Sequence, residues 1–219
     1  MDTREVLLET AERLYGERGI NGVSLREIVR EAGQRNASAA HYHFGSREGL
    51  IEAIFEKRMS AIDARRNVML DQLEAEGRAG EIRAIAECVT WPIGEMMVGS
   101  EDGASYIRFL TQMFLTSDFD VEDFVGGRWN PGMRRCYEHL EAALGEMPAA
   151  ILRQRFLIVM HAGTFSLADI DTARRRRAAQ NQPFDLERAI ENLIDTWVGA
   201  MTAPISEQTA TRLDGKAAA

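Results

Sequence analysis

Cysteine is nearly absent from the 219 residues: Cys88 and Cys136 stand alone, with no CxxC. That excludes a disulfide framework and a thiolate zinc site, and it fits a reducing compartment. Proline is scarce at five, and aromatic residues make up only 7% of the chain. No apolar run approaches the ~18–20 residues of a membrane span; the densest is the short stretch Phe156–Met160. The opening MDTREVLLETAERL carries charge where a secretory leader needs its apolar region, so a soluble, cytoplasmic protein with no membrane partner is expected. Basic charge is in deficit, with 26 Lys and Arg against 34 Asp and Glu and a net charge of −8. A basic coat over the whole surface is excluded, and any nucleic-acid contact has to be a local patch. No Ser-His-Asp arrangement or carboxylate pair is legible from spacing, so an enzyme is not expected, and neither is a cofactor.

What is present is helix. Leu7, Thr10, Ala11, Leu14 and Tyr15 keep i, i+3, i+4 spacing up to Gly19, a plausible helix end. Ser24-Leu25-Arg26-Glu27 has capping-box spacing, in which the serine accepts the Glu27 amide and the Glu27 carboxylate reaches back. The short helix that follows carries Leu25, Ile28, Val29 and Ala32 and stops at Gly33. Asn36 or Ser38 can cap a third, very short helix ending near His43–Phe44. Ser46 opens a fourth, with Glu48 in its first turn, and Leu50, Ile54, Met59 and Ile62 carry it to about residue 75. Further helices are expected near 80–98, 103–116, 130–145, 148–179 and 184–202, with a kink at Pro92. The stretch 117–132 reads as a loop and 204–219 as a loose tail. No alternating strand of useful length appears, so the fold class is all-α with about nine helices.

Three short helices within 50 residues, the last two joined by a Gly-containing turn, describe a helix-turn-helix. The third has small polar side chains, which suit a helix that must lie deep in a major groove about 12 Å wide. Arg26, Arg30, Arg35 and Arg47 outnumber Glu27 and Glu31 here, with His41 and His43 beside them. Arg47 at a helix start is placed to meet phosphate. His41 and His43 could be read as a metal pair, but i and i+2 point apart on a helix, and no metal site is expected.

LLETAERLYGERG, GVSLREIVREAG and YHFGSREGL together carry a resemblance. Residues 5–50 resemble the DNA-binding domain of the TetR family of bacterial transcriptional regulators. The matching positions are Gly19, Ser24, Ala32-Gly33, Tyr42-His43-Phe44 and Arg47-Glu48-Gly49-Leu50. Two departures stand out: the segment AGQRNASAAHYHF is one residue longer than the common form, and Tyr42 directly precedes His43. The family's lysine at the fourth helix is here Arg47, for which the phosphate role is expected. The candidate DNA contacts are Ser24, Arg26, Gln34, Arg35, Asn36, Ser38, Ala39, His41, Tyr42, His43 and Arg47, in a reading domain at 1–48.

For residues 49–203 the resemblance implies a helical ligand-binding and dimerisation domain. The implied ligand is a small hydrophobic effector enclosed among the middle helices. Trp91, Met96, Met97, Tyr106 and Phe109 are candidate pocket residues, as are Leu110, Met113, Tyr137, Leu140 and Met160. Any one of them could equally be ordinary core, because every apolar helix face shows such a stripe. The resemblance also implies a face for a second copy on the last two helices, and the all-round apolar stretch around Phe156 and Val159, with Phe165, fits it. So does the stripe Leu186, Ile190, Leu193, Ile194, Trp197 and Met201. The partners expected are therefore a double-stranded operator, the effector and a second copy of the chain. Repression relieved by ligand is the favoured sense. An activator, or a helical small-molecule-binding protein that does not act through DNA, is the alternative. The run Arg174–Arg177 looks like a nucleic-acid patch, but an acid-paired or solvated surface is favoured.

Overall fold

The computed structural model describes residues 2–36, 38–99, 101–116 and 131–214. Four helices make the amino-terminal part: α1 (Thr3–Arg18), α2 (Leu25–Glu31), α3 (Ala39–Phe44) and α4 (Arg47–Ala75). A 3-10 turn, Ile20–Gly22, joins α1 to α2. Then follow α5 (Ile82–Gly99), α6 (Glu101–Phe114), α7 (Pro131–Ala143), α8 (Ala149–Ala179), α9 (Leu186–Thr202) and α10 (Glu207–Asp214). There is no strand among the described residues, and the all-α class holds. Among the described residues ten helices stand where about nine were expected. The extra one, α10, lies in the stretch read as a loose tail; its weak apolar pattern hid it. The expected loop falls largely on 117–130, outside the described residues.

α4 is one continuous helix, so the boundary expected at residue 48 falls inside its first turn. It packs on α1 at one end and on α5 and α7 at the other. Glu12 of α1, almost fully buried, takes a two-pronged contact from Arg58 of α4 at 2.6 and 2.9 Å. Further along α4, Asp63 and Arg66 are buried within the apolar stripe of Met59, Ile62 and Leu70. The Arg66 guanidinium donates to Asp63 at 3.0 Å and to the Cys88 carbonyl of α5 at 3.2 Å. The Asp63 carboxylate accepts the Gly132 amide at 3.0 Å, so a side chain of α4 caps the start of α7. A β-carbon on Gly132 would stand 2.7 Å from that carboxylate.

α6 lies along α1. At Gly16 the approach is so close that a β-carbon would sit 3.1 Å from the Ser105 carbonyl oxygen, the Phe109 amide nitrogen and the Arg108 β-carbon. Phe109 is fully buried there, 6.3 Å from the Tyr15 ring of α1 and 5.3 Å from the Phe55 ring of α4. α9 packs against α8 and α5. Pro92 sits inside α5.

Two outcomes follow. Gly16→Val forces a branched side chain onto α6 backbone and is expected to cost about 2 kcal/mol, the scale of an overpacked core, read as a lower midpoint in urea unfolding. Burial pushes the thiols of Cys88 and Cys136 up, to about 11 and about 12. Both are therefore protonated at pH 8, and iodoacetamide is expected to label neither until the chain is unfolded, as read by mass spectrometry.

Candidate nucleic-acid interface

The reading segment is assembled from local caps. Ser24 accepts the Glu27 amide at 3.2 Å. The other half of the expected capping box is replaced: the Glu27 carboxylate turns to Arg18 at 2.7 Å. α2 is capped at Ala32, and Gly33 adopts φ +66, a left-handed turn that a side chain would strain. Ser38 takes the N-cap position of α3 but makes no side-chain cap bond, and Asn36 instead accepts the Ser38 amide at 3.0 Å in the turn that precedes the helix. Six residues of α3 then end at Gly45, with φ +73. Beyond it, a β-carbon on Gly49 would stand 2.2 Å from the Phe44 carbonyl oxygen, so this position has no room for one.

Most of the candidate contacts lie on one exposed segment. Ser24, Arg26, Arg35, Asn36, Ser38 and His41 are exposed, and Tyr42 is 84% exposed. Among the described residues neither Arg26 nor Arg35 has an ion-pair partner. Arg30 is shared between Glu27 at 3.8 Å and Glu31 at 3.4 Å. His43 is half-buried, its ring edge-on to Tyr42 at 5.1 Å. The His41 ring nitrogen Nδ1 donates to the Gly45 carbonyl at 2.5 Å, which ties the side chain to the end of its own helix. Gln34 is half-buried and donates to the Ala32 carbonyl at 3.3 Å.

Two candidates are corrected. Ala39 is buried in the core, where it holds α3 against the other helices. Arg47 is turned inward. Its guanidinium donates to the Ile20 carbonyl at 2.6 Å, the Val23 carbonyl at 3.3 Å and Asn21 at 3.3 Å, and so clasps the turn between α1 and α2. It also lies beside the buried Tyr15, whose hydroxyl pKa is raised by burial and partly lowered again by Arg47. The start of α4 is not cationic either. Ser46 fills the Gly49 amide at 3.1 Å. The Glu48 carboxyl is held below its usual range by its own backbone amide and then by Ser46. The sequence also did not show Arg4, whose guanidinium stacks 5.4 Å from the Phe44 ring and pins α1 to the end of α3.

In the body, Met97, Tyr106, Phe109, Leu110 and Leu140 are buried core. Tyr106, Phe109 and Leu110 belong to the helix that lies along α1. Trp91, Met96, Met113 and Tyr137 are half-buried against that core. Trp91 donates to Glu191 at 3.1 Å, and Tyr137 meets Phe156 edge-on at 5.2 Å. Met160 lines a narrow crevice of about 20 Å³ with Val89, Ile93, Leu193 and Trp197. A wider crevice of about 200 Å³ opens between α4 and α5, floored by Met69, Leu73, Ala84 and Cys88.

Among the residues expected to meet a second copy, Phe156, Val159, Ile190, Ile194, Trp197 and Met201 are buried within the chain itself. Leu186 and Leu193 are half-buried. Ile158 at 61% and Phe165 at 39% are the large apolar side chains of α8 left exposed. The apolar stretch 156–160 gave the sequence no phase from which to separate the two faces.

Arg47→Ala is therefore expected to lower stability by about 2 kcal/mol, the worth of charged hydrogen bonds to carbonyls, with the salt dependence of duplex binding little changed. Arg26→Gln is expected to do the reverse and lower that salt slope by about 1. Urea melts and binding titrations across salt concentration check both.

Residues 7–54 match the family of bacterial regulatory proteins of the tetR type, and residues 87–200 match the tetracyclin repressor-like C-terminal domain. A comparison with curated proteins finds no match. Solved structures share the fold. A tetR family transcription regulator from Shewanella sp. PV-4 aligns at TM-score 0.58 and 16% identity over 90% of this chain and 98% of its own. An HlyIIR mutant aligns at 0.56 and 18% over 88% and 93%. PfmR from Thermus thermophilus aligns at 0.50 and 17% over 94% and 99%. With a reading segment of this geometry at one end, a helical body behind it and both halves matched, the chain belongs to the TetR family of transcriptional regulators.

Proposed function

We propose that the protein is a homodimeric, ligand-responsive repressor that leaves a pseudo-palindromic operator when a small hydrophobic effector binds. The observation that carries the reading is the exposed segment of Ser24, Arg26, Arg35, Ser38, His41 and Tyr42, a cationic and polar patch on a chain of net charge −8. Ser38, His41 and Tyr42 are the residues assigned to base edges, and Arg26 and Arg35 to phosphates. Two copies would set their α3 helices in successive major grooves, about 34–36 Å apart. The exposed Ile158 and Phe165 of α8, with half-buried Leu186 and Leu193 of α9, support a second copy against these two helices.

Effector binding among the middle helices would favour a conformer with wrongly spaced heads. A coupling of about 1–3 kcal/mol is enough, which is about 5–150-fold in operator affinity. The path offered is α6 on α1, through Gly16 and Phe109, together with the shaft of α4. The ten methionines of the chain, which adapt to irregular apolar shapes, support an apolar effector. The setting is the cytoplasm, and no catalysis is assigned.

Selection on random duplexes is expected to return two half-sites about one helical turn apart, and the mass in solution is expected to be twice 24.5 kDa. His41→Ala is expected to change the preferred base at one position in each half-site. A monomer at working concentration, or an identical selected site for the variant, overturns this reading.

A further inference from the structure

The run Arg174–Arg177 closes α8, and the structure shows what its first half does. Asp171, fully buried, accepts from Arg108 of α6 at 2.7 Å, from Arg174 at 3.0 Å and from Arg175 at 2.8 Å. One carboxylate thus faces three guanidinium groups, and the cluster keeps an excess of positive charge. The Nε of Arg174 is buried there without a hydrogen-bond partner. Arg108 feels the excess: burial, and then the neighbouring charge of Arg175, draw its pKa below the usual arginine value. Arg176 and Arg177 follow, exposed and without an ion-pair partner among the described residues.

The carbonyl end of α8 attracts cations, which accounts for basic residues in its last turn. It does not account for a third guanidinium brought in from α6. The three guanidinium groups share one carboxylate, Asp171, and the positive charge left over, on groups whose remaining N–H donors suit oxyanions, matches a phosphate better than any neutral group. Arg108 sits beside Gly16, where α6 touches α1, so the cluster also borders the reading part of the molecule.

We propose that the corner of α6 and α8 built on Arg108, Asp171, Arg174 and Arg175, with Arg176 and Arg177 beyond it, is a phosphate-binding site. It is separate from the reading segment of α2 and α3. The phosphate can come from a duplex backbone or from a small phosphorylated molecule. Two variants of the full chain separate these sources: Arg175→Gln within the cluster, and Arg176→Gln with Arg177→Gln beyond it. The last two side chains have no ion-pair partner among the described residues, so that double variant keeps the fold, which circular dichroism checks.

With a backbone source, the double variant lowers the salt slope on a mixed-sequence duplex by about 2, at ~0.9 per phosphate contact, and pyrophosphate gives no thermal stabilisation beyond that of chloride at equal ionic strength. With a small-molecule source, pyrophosphate raises the melting temperature above the chloride control. Arg175→Gln loses that rise, Arg26→Gln keeps it, and the slope stays put. Unchanged slope together with no pyrophosphate effect overturns the proposal, as does a pyrophosphate effect that survives in Arg175→Gln but vanishes in Arg26→Gln.

Discussion

The contact on which the rest of the molecule leans is backbone against backbone. Gly16 has no side chain, so α6 can lie directly on α1, with Ser105 and Phe109 in the space a β-carbon would take. That lets one phenyl ring, Phe109, serve both parts, touching Tyr15 of α1 and Phe55 of α4. Burying such a ring stabilises by about 1.5–3 kcal/mol, but its position matters more than its area. Protein interiors are packed as densely as organic crystals, so α6 cannot shift at this point without moving α1. The three short helices of the reading part thereby acquire a fixed seat on the body.

A second set of constraints runs along α4. Buried charge is costly unless it is paired and hydrogen-bonded. Here Asp63 and Arg66 bond each other, and each then reaches a different neighbour, the Gly132 amide and the Cys88 carbonyl. Replacing such a group by apolar side chains of similar volume is often neutral for stability elsewhere. What the polar version adds is direction: it fixes where along α4 the helices α5 and α7 must meet it. Farther up, Arg58 and Glu12 do the same between α4 and α1.

The fold was largely legible because it is local. Caps at Ser24 and Ser46, turns at Gly19 and Gly33, and i, i+3, i+4 stripes involve neighbours in the chain, and the structure keeps them. What stayed hidden depends on residues distant in sequence. Arg47 looks like a phosphate ligand when only Ser46 and Glu48 are in view; the carbonyls of Ile20 and Val23 that claim it lie across the fold. Asp63 and Arg66 drew no reading from the sequence, because nothing nearby announces Gly132 or Cys88. The α9 stripe was correctly seen as apolar, yet periodicity does not say whether it faces its own body or a second copy. Ile190, Ile194, Trp197 and Met201 face their own body. For the run Arg174–Arg177 an acid-paired or solvated surface was favoured: Arg174 and Arg175 pair with Asp171, and Arg176 and Arg177 are exposed.

The corner between α3 and α4 has a mechanical meaning. Gly45 turns the chain through a left-handed conformation, the Phe44 carbonyl presses onto Gly49, and the His41 ring is bonded across the bend. The bend itself is open, since nothing lies within 4 Å of where a β-carbon on Gly45 would stand, and the tie between the two helices is made by the Phe44–Gly49 approach and the His41 bond. In the proposed switch, a tilt of α4 would reach the short helix through those two contacts. α3 thus stands at the foot of a 29-residue helix, and loosening this elbow would weaken the link between them.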